Sequence, residues 1–387
     1  MNMLKTTAQK ASACLVCILL FALTCSHASA QEAAPPSTEE APPSVQLRYS
    51  PWPDVLPRST HAGTPFAISV GTQLYAQYSL FFPSGAEWTH AFGLPRVWVF
   101  SAFRVDDVIG RVLIEGTRAT GDGALGVAQD SLLIRVREAW VGYRLLDMLE
   151  ARVGLIPTLN APTLTRLVGM RALTRIGLRE LELIAPSDLG ASLTFDLPEG
   201  IGRLGAAYLN GEGYASRELN RGKNLELMAE LHPLAFVPEA RPLTLVLGYS
   251  NGSLGAGATR SDRAMGGLAW SEPMVSVGIS GAYLLGIQDR GDREGALVEA
   301  WARARLFEYL LLGGQFFHIA RDMRGTDVLS QLTLHVGAHV HDALRVYVAV
   351  DGRFAGEAAR VAVPSWERWE VRLVVESNFV AEFSGGL

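Results

Sequence analysis

From Phe66 to Phe82 the chain alternates with period two. The even positions are Phe66, Ile68, Val70, Thr72, Leu74, Ala76, Tyr78, Leu80 and Phe82, while the odd positions from Ala67 to Phe81 are mostly small or polar. Alternation of this kind puts one set on each face of a β-strand. The run is longer than the roughly 3–10 residues of an ordinary globular strand. The pattern returns near the end of the chain. Val328, Leu332, Leu334, Val336, Ala338 and Val340 oppose Gln331, Thr333, His335 and His339; Leu344, Val346, Val348 and Val350 oppose Arg345, Tyr347, Asp351 and Arg353. In the last segment Trp369, Val371, Leu373, Val375, Phe379 and Phe383 oppose Arg368, Glu370, Arg372, Glu376, Asn378 and Glu382.

Such segments predict about sixteen strands, near 66–82, 95–105, 108–119, 132–146, 149–156, 189–197, 202–210, 224–232, 243–250, 264–271, 274–286, 296–307, 309–320, 327–341, 343–353 and 367–383. Two are irregular. Arg135-Val136-Arg137-Glu138-Ala139 breaks parity and predicts a β-bulge or an extension beyond the membrane, and 309–320 is apolar on both faces. Short links follow most even-numbered strands, as at Asp106-Asp107, Asp147-Met148 and Glu272-Pro273, with 233–242 the exception; longer links follow the odd ones. Short periplasmic turns alternating with longer extracellular loops, on an even number of strands, describe a transmembrane antiparallel β-barrel. The fold class expected is therefore all-β, with the barrel occupying residues 65–387.

Composition fits this arrangement. Of 387 residues, 49% are hydrophobic and 19% charged, and the mean hydropathy is +0.18, so wholesale disorder is excluded. After the first thirty residues no apolar run approaches the ~18 needed for a membrane helix, which leaves a lipid-facing sheet to absorb the apolar content. Lys5 and Lys10, the apolar run Leu15 to Leu23 and Ala28-Ser29-Ala30 predict a secretory signal peptide over 1–30; acylation at Cys25 is the alternative. Residues 31–64, with Ala34-Pro35-Pro36 and Ala41-Pro42-Pro43, predict a flexible, Pro/Ala/Glu-rich leader. Cys14, Cys17 and Cys25 all lie in the signal segment, so nothing downstream can form a disulfide or use a thiolate. Without Lys5 and Lys10, 32 basic residues face 39 acidic ones and the net charge moves from −5 to −7. This balance gives no support for a nucleic-acid partner.

The longest connection, Pro157 to Asp188, is the third long loop. It carries Leu164, Leu167, Val168, Leu173, Ile176 and Leu178 together with Arg166, Arg171, Arg175 and Arg179, and has no acid before Glu180. Loops longer than ~12–15 residues are usually functional or disordered, and this one is apolar enough to be ordered. If 165–180 is helical, Arg171, Arg175 and Arg179 share one face. Folded into the lumen, that row and its neighbours Arg166 and Glu180 would form a pore constriction favouring anions. The other reading is a solvated outer helix paired with Glu180 and Glu182.

On the strands' polar faces Arg303, Arg305, Arg345, Arg353, Arg368 and Arg372 are balanced by Glu226, Glu230, Glu299, Glu370, Glu376 and Glu382. This mixture predicts a hydrated lumen wall, and barrels of ~16–18 strands leave an aqueous channel. His335, His339 and His341 are weighed as metal ligands and read instead as polar lumen residues; no metal or cofactor is expected. Tyr249, Tyr283, Trp301, Trp369, Phe379 and Phe383 are candidates for interfacial aromatic girdles. No P-loop occurs, and no nucleophile elbow, a serine on a strand-to-helix turn, is read in the sequence; this disfavours an enzyme.

Several of these segments resemble the phosphate-selective porin O/P family. The resemblance rests on Ala139-Trp140-Val141-Gly142-Tyr143, Arg152-Val153-Gly154-Leu155-Ile156-Pro157, Ser187-Asp188-Leu189-Gly190 and Tyr208-Leu209-Asn210-Gly211-Glu212-Gly213, and covers roughly 132–232. It implies a sixteen-stranded homotrimeric outer-membrane porin whose third extracellular loop folds inward as the constriction. It also implies anion or phosphate passage along arginines and clustered lysines. The chain departs in having Lys223 as its sole lysine after the signal segment, and in ending Ser384-Gly385-Gly386-Leu387 rather than on an aromatic residue. Arg substitutes for Lys as a phosphate partner but is not equivalent to it. The expected function is passive diffusion of small hydrophilic or anionic solutes across a lipid outer membrane; the alternative is a non-conducting barrel with a structural or surface-binding role.

Overall fold

The computed structural model describes residues 46–48, 66–118, 132–173, 175–215, 221–237, 240–254, 259–287, 290–307, 309–363 and 366–385. Residues 1–30, read as a signal peptide, most of 31–64, read as a leader, and the loop expected over 121–131 lie outside these. Sixteen strands build the fold: β1 (Phe66–Pro83), β2 (Thr89–Val105), β3 (Val108–Arg118), β4 (Leu132–Leu146), β5 (Leu149–Pro157), β6 (Ser187–Leu197), β7 (Gly202–Leu209), β8 (Asn224–Leu231), β9 (Leu243–Asn251), β10 (Asp262–Ser271), β11 (Val275–Ile287), β12 (Arg290–Leu306), β13 (Leu310–Ala320), β14 (Val328–His341), β15 (Leu344–Ala355) and β16 (Arg368–Gly385). Each pairs antiparallel with the next, and β16 pairs with β1 from Arg368↔Pro83 to Gly385↔Phe66. Closure leaves no unpaired edge, as lipid requires of a spanning sheet. A short strand from the leader, Gln46–Arg48, pairs with residues 380–382 of β16, past that strand's last β15 partner, Ser377.

The period-two faces fall as the sequence predicts. On β1, Ala67, Ser69, Gln73 and Tyr75 are buried inside while Val70 and Leu74 are exposed. On β14, Gln331 and Thr333 point in and Leu334 and Val340 point out; on β16, Glu370, Glu376 and Asn378 point in and Trp369, Phe379 and Phe383 point out. The exposed side chains form the apolar band that meets hydrocarbon, which makes this an outer-membrane type of barrel. Tyr249, Tyr283 and Trp369 are exposed toward the long-loop end, and Phe379 and Phe383 toward the short-turn end. Trp301 is a correction: it is only 4% exposed and packs inside.

Two links are shorter than the sequence suggests. The β1–β2 ladder continues to Phe81↔Thr89, and β12 begins at Arg290, so pairing extends past the apolar band and leaves links of 84–88 and 288–289. The parity break in β4 is a bulge: Leu113 faces Glu138 but Ile114 faces Val136, so Arg137 is the extra residue. Arg137 and Glu138 are consequently both buried inside, where strict alternation would admit only one.

The lumen contains a substantial apolar core, which the strand pattern alone does not require. Val246, Met265, Leu284, Leu297, Phe317 and Ile319 point inward and meet Leu164, Leu167, Val168, Ile176 and Leu178 of the third loop. The double-sided apolar pattern of β13 is thus explained: Phe316 faces lipid while Phe317 and Ile319 face the loop.

The lipid-facing assignment has a direct energetic consequence. Leu334→Arg, at the middle of β14 on the exposed face, should destabilise the barrel by about 2–4 kcal/mol, read as a lower denaturant midpoint for unfolding from lipid vesicles. An unchanged midpoint would contradict the assignment.

Candidate functional site

Residues 158–186, the third loop, run inside the barrel and contain helix α1 (Asn160–Val168) and the short helix α2 (Gly177–Glu180). The single helix considered over 165–180 does not form. Gly169 ends α1 in the left-handed region at φ 71°, and a turn follows. A Cβ at 169 would also run into the Arg303 guanidinium, so the position needs glycine twice over.

Both helix starts dock on wall carboxylates. The Glu226 carboxylate on β8 accepts from the backbone N–H of Leu159 at 2.7 Å and of Asn160 at 3.4 Å. Neither helix has a side-chain cap of its own, so a strand supplies the acceptor and the negative charge a helix N-terminus favours. Glu299 on β12 does the same for α2, accepting from Gly177 N–H, Ser280 Oγ and Gln315 Nε2. Gln315 also donates to Arg175 O at 3.2 Å. At the base of the loop, Thr158 N and Oγ1 donate to Pro186 O and Ala185 O at 3.1 and 2.7 Å.

Many of the expected site residues serve this docking. Arg166 pairs with Glu230, and Glu180 with Arg353 at 2.8 Å. Arg303 Nη1 donates to Gly169 O at 2.9 Å. Arg372 donates to Leu173 O at 2.6 Å and pairs with Asp351. Half-buried ion pairs recover little beyond their desolvation cost, whereas each fully buried aliphatic side chain contributes about 1.5–3 kcal/mol. The apolar side of the loop therefore dominates its retention, and the charged contacts fix its register.

The loop's other side carries the positive charge. Arg171, Arg175 and Arg179 are not on one helix face, yet all three border a void of about 30 Å³, with Arg96 of β2 and Arg137 of the β4 bulge across from them. Trp98, fully buried, lies among them, its ring centroid 4.5, 4.5 and 4.0 Å from the guanidinium carbons of Arg96, Arg137 and Arg171. Glu115 of β3 accepts from Trp98 Nε1 at 2.9 Å, from Arg137 Nη1 at 3.0 Å and from the Tyr214 hydroxyl of the next long loop. Burial, then the Glu115 carboxylate, raises the Tyr214 hydroxyl pKa and keeps it a donor. No carboxylate among the described residues pairs with Arg179; desolvation, reinforced by Arg137, Arg96 and Arg175, pushes its pKa down to about 8. A guanidinium in that position is short of counter-charge.

On the short-turn side of the loop lies a larger cavity of about 290 Å³, bordered by Arg171, Arg303, Arg305, Arg345, His335, His339, Tyr347 and Glu376 and by the β10–β11 turn. Arg345 and Tyr347 both reach Glu376, at 3.9 and 3.0 Å. Arg171 borders both spaces. His341 stands apart, its Nδ1 accepting from Ala343 N in the β14–β15 turn. No group of His, Cys, Asp or Glu among the described residues is arranged to hold a metal.

Sequence reasoning missed Arg96, Trp98, Glu115 and Tyr214. Arg96 and Trp98 are two apart on β2 and thus on one face, a signal that was present but indistinguishable from ordinary lumen polarity. Tyr214 lies in a loop, where alternation gives no direction.

No protein-family model matches the chain, and a search of curated proteins finds no match. Solved structures do resemble it. An anion-selective porin from Comamonas acidovorans superposes with a TM-score of 0.55 at 13% identity, covering 82% of this chain and 100% of that one. Salmonella typhi OmpF, solved with daunomycin, gives 0.58 at 13% identity over 80% and 97%. The trimer form of Vibrio cholerae OmpT, an outer-membrane protein, gives 0.52 at 11% identity over 82% and 99%. At these identities the likeness is one of fold.

The carboxylate docking of α1 is open to test. Glu226→Ala should loosen the loop by about 0.5–2 kcal/mol, the range for loss of a helix cap. Amide hydrogen exchange at Leu159 and Asn160 should accelerate while the strands stay protected; unchanged exchange at those amides would reject the docking role.

Proposed function

We propose that the protein is a porin of the bacterial outer membrane through which small hydrophilic solutes diffuse passively, with a preference for anions. The observation carrying this reading is the set of arginines around the void between the third loop and the β2–β4 wall, namely Arg96, Arg137, Arg171, Arg175 and Arg179. Rows and rings of arginine favour anions at close quarters, and the low dielectric around buried groups strengthens that bias. Selection then rests on width and wall charge, with no chemical step. The fold shared with porins supports the reading. A homotrimer is the proposed assembly, by analogy with the trimeric neighbour.

A second reading, a non-conducting barrel with a structural or surface-binding role, draws support from the small size of that void, about 30 Å³, which is close to the volume of one water. Planar-bilayer recording separates the two. Purified protein should give discrete conductance steps above the lipid background, and closed traces throughout would reject the porin reading. Replacing Arg171, Arg175 and Arg179 together by Ala should lower the anion/cation permeability ratio by about three- to tenfold, the scale of removing unit charges a few ångströms from a permeating ion. An unchanged reversal potential in a salt gradient would reject the role given to these residues.

A further inference from the structure

The cluster of arginines holds one carboxylate that helps to anchor nothing in the third loop. Glu115 projects from β3, is 7% exposed, and has both oxygens engaged. Oε1 accepts from Trp98 Nε1 and Arg137 Nη1, and Oε2 accepts from the Tyr214 hydroxyl. These donors come from β2, from the β4 bulge and from the loop after β7, so three separate elements converge on one anion. Glu115 lies behind Arg137 rather than on the void itself; the acid that borders the void, Glu138, is paired at 3.6 Å with Arg111, outside the cluster. Glu226, Glu230, Glu299 and Glu180 are each occupied with docking the loop. Glu115 thus faces Arg137 and Arg96, which with Arg171 lie against the same Trp98 ring, while Glu376 faces Arg171 from the larger cavity, where it is held by Arg345 and Tyr347.

We infer that Glu115 is a specificity-determining residue: a fixed counter-ion set against Arg137 of the cationic constriction, which sets how strongly a mobile anion is attracted there. A charged side chain held by donors from three elements cannot swing away to let an arriving anion take its place. It cancels one unit of positive charge permanently, while Arg179, without a paired carboxylate among the described residues, remains for the passing ion. Such partial neutralisation weakens anion binding and lets bound ions leave, which conduction needs. The anions concerned are small and hydrophilic, such as halide or carboxylate ions, and the inference rests on the porin reading above.

The experiment compares wild type with Glu115→Gln, Glu115→Asp and Tyr214→Phe in planar bilayers under a potassium chloride gradient. Glu115→Gln keeps the size and an acceptor oxygen but removes the charge. It should raise the chloride/potassium permeability ratio by about threefold or more, as expected for deleting one unit charge several ångströms from the ion path, and its conductance should saturate at lower salt. Glu115→Asp keeps the charge and should stay near wild type, as should Tyr214→Phe, which removes only a donor. The retained heat-dependent shift of the folded barrel on gels would show that each variant is folded. An unchanged ratio for Glu115→Gln would overturn the inference, and so would a Tyr214→Phe shift as large as that of Glu115→Gln, because the hydrogen-bond frame rather than the charge would then be responsible. A wild-type channel without anion preference would overturn the porin reading itself; an anion-preferring wild type with an unaltered Glu115→Gln overturns only the role of Glu115.

Discussion

A loop held inside a barrel must bury its apolar side chains and, at the same time, find partners for the polar backbone it takes out of water. In this protein one surface meets both demands. The β9–β14 wall offers Val246, Met265, Leu284, Leu297 and Phe317 to the leucines and valine of the loop. Glu226 and Glu299 on adjoining parts of the wall accept from the starts of its two helices. Without the carboxylates, the helix N-termini would be buried with unsatisfied donors, at a cost of about 1–3 kcal/mol each. Without the apolar contacts, nothing would compensate the ordering of some thirty residues at about 1–2 kcal/mol apiece. The last long loop adds to the same core through Trp366, which meets Phe317 edge-on with centroids 6.3 Å apart.

Once the apolar side is committed to that wall, the arginines of the loop have only the opposite wall to face. There the sequence supplies more positive charge: Arg96 by ordinary alternation, and Arg137 because a bulge turns two consecutive residues inward. Bringing guanidinium groups together in a poorly hydrated space is unfavourable unless something offsets their repulsion. The Trp98 ring and the Glu115 carboxylate offset part of it. What remains is a local positive field in a chain whose net charge is negative. The charge lining this part of the lumen is therefore set by the loop's docking rather than by overall composition.

The barrel was legible in the sequence because its two determinants are local: period-two alternation and link length. The bulge at Arg137 was visible as a parity break, and the both-sided apolarity of β13 was visible as an anomaly whose cause, a loop packed against Phe317 and Ile319, lies far along the chain. The loop's importance could be read from its length and its Arg and Leu content, but its geometry could not. Spacing by four suggested one helix bearing Arg171, Arg175 and Arg179, whereas Gly169 and the docking of Gly177 break the path into two helices that still bring those residues to one void. Arg166 and Glu180 looked like constriction residues and are tied to Glu230 and Arg353. Which arginine anchors and which borders the void depends on contacts across the lumen, a long-range property that alternation does not encode.

The central claim is that ions cross the barrel between the arginine side of the third loop and the β2–β4 wall. From residue 31 onward the chain has no cysteine, so Arg175→Cys places a single thiol at that boundary. Adding a negatively charged methanethiosulfonate reagent during single-channel recording should produce one abrupt, lasting fall in current per open pore, together with a lower anion/cation permeability ratio. Full modification of the thiol with current and selectivity unchanged would contradict the account.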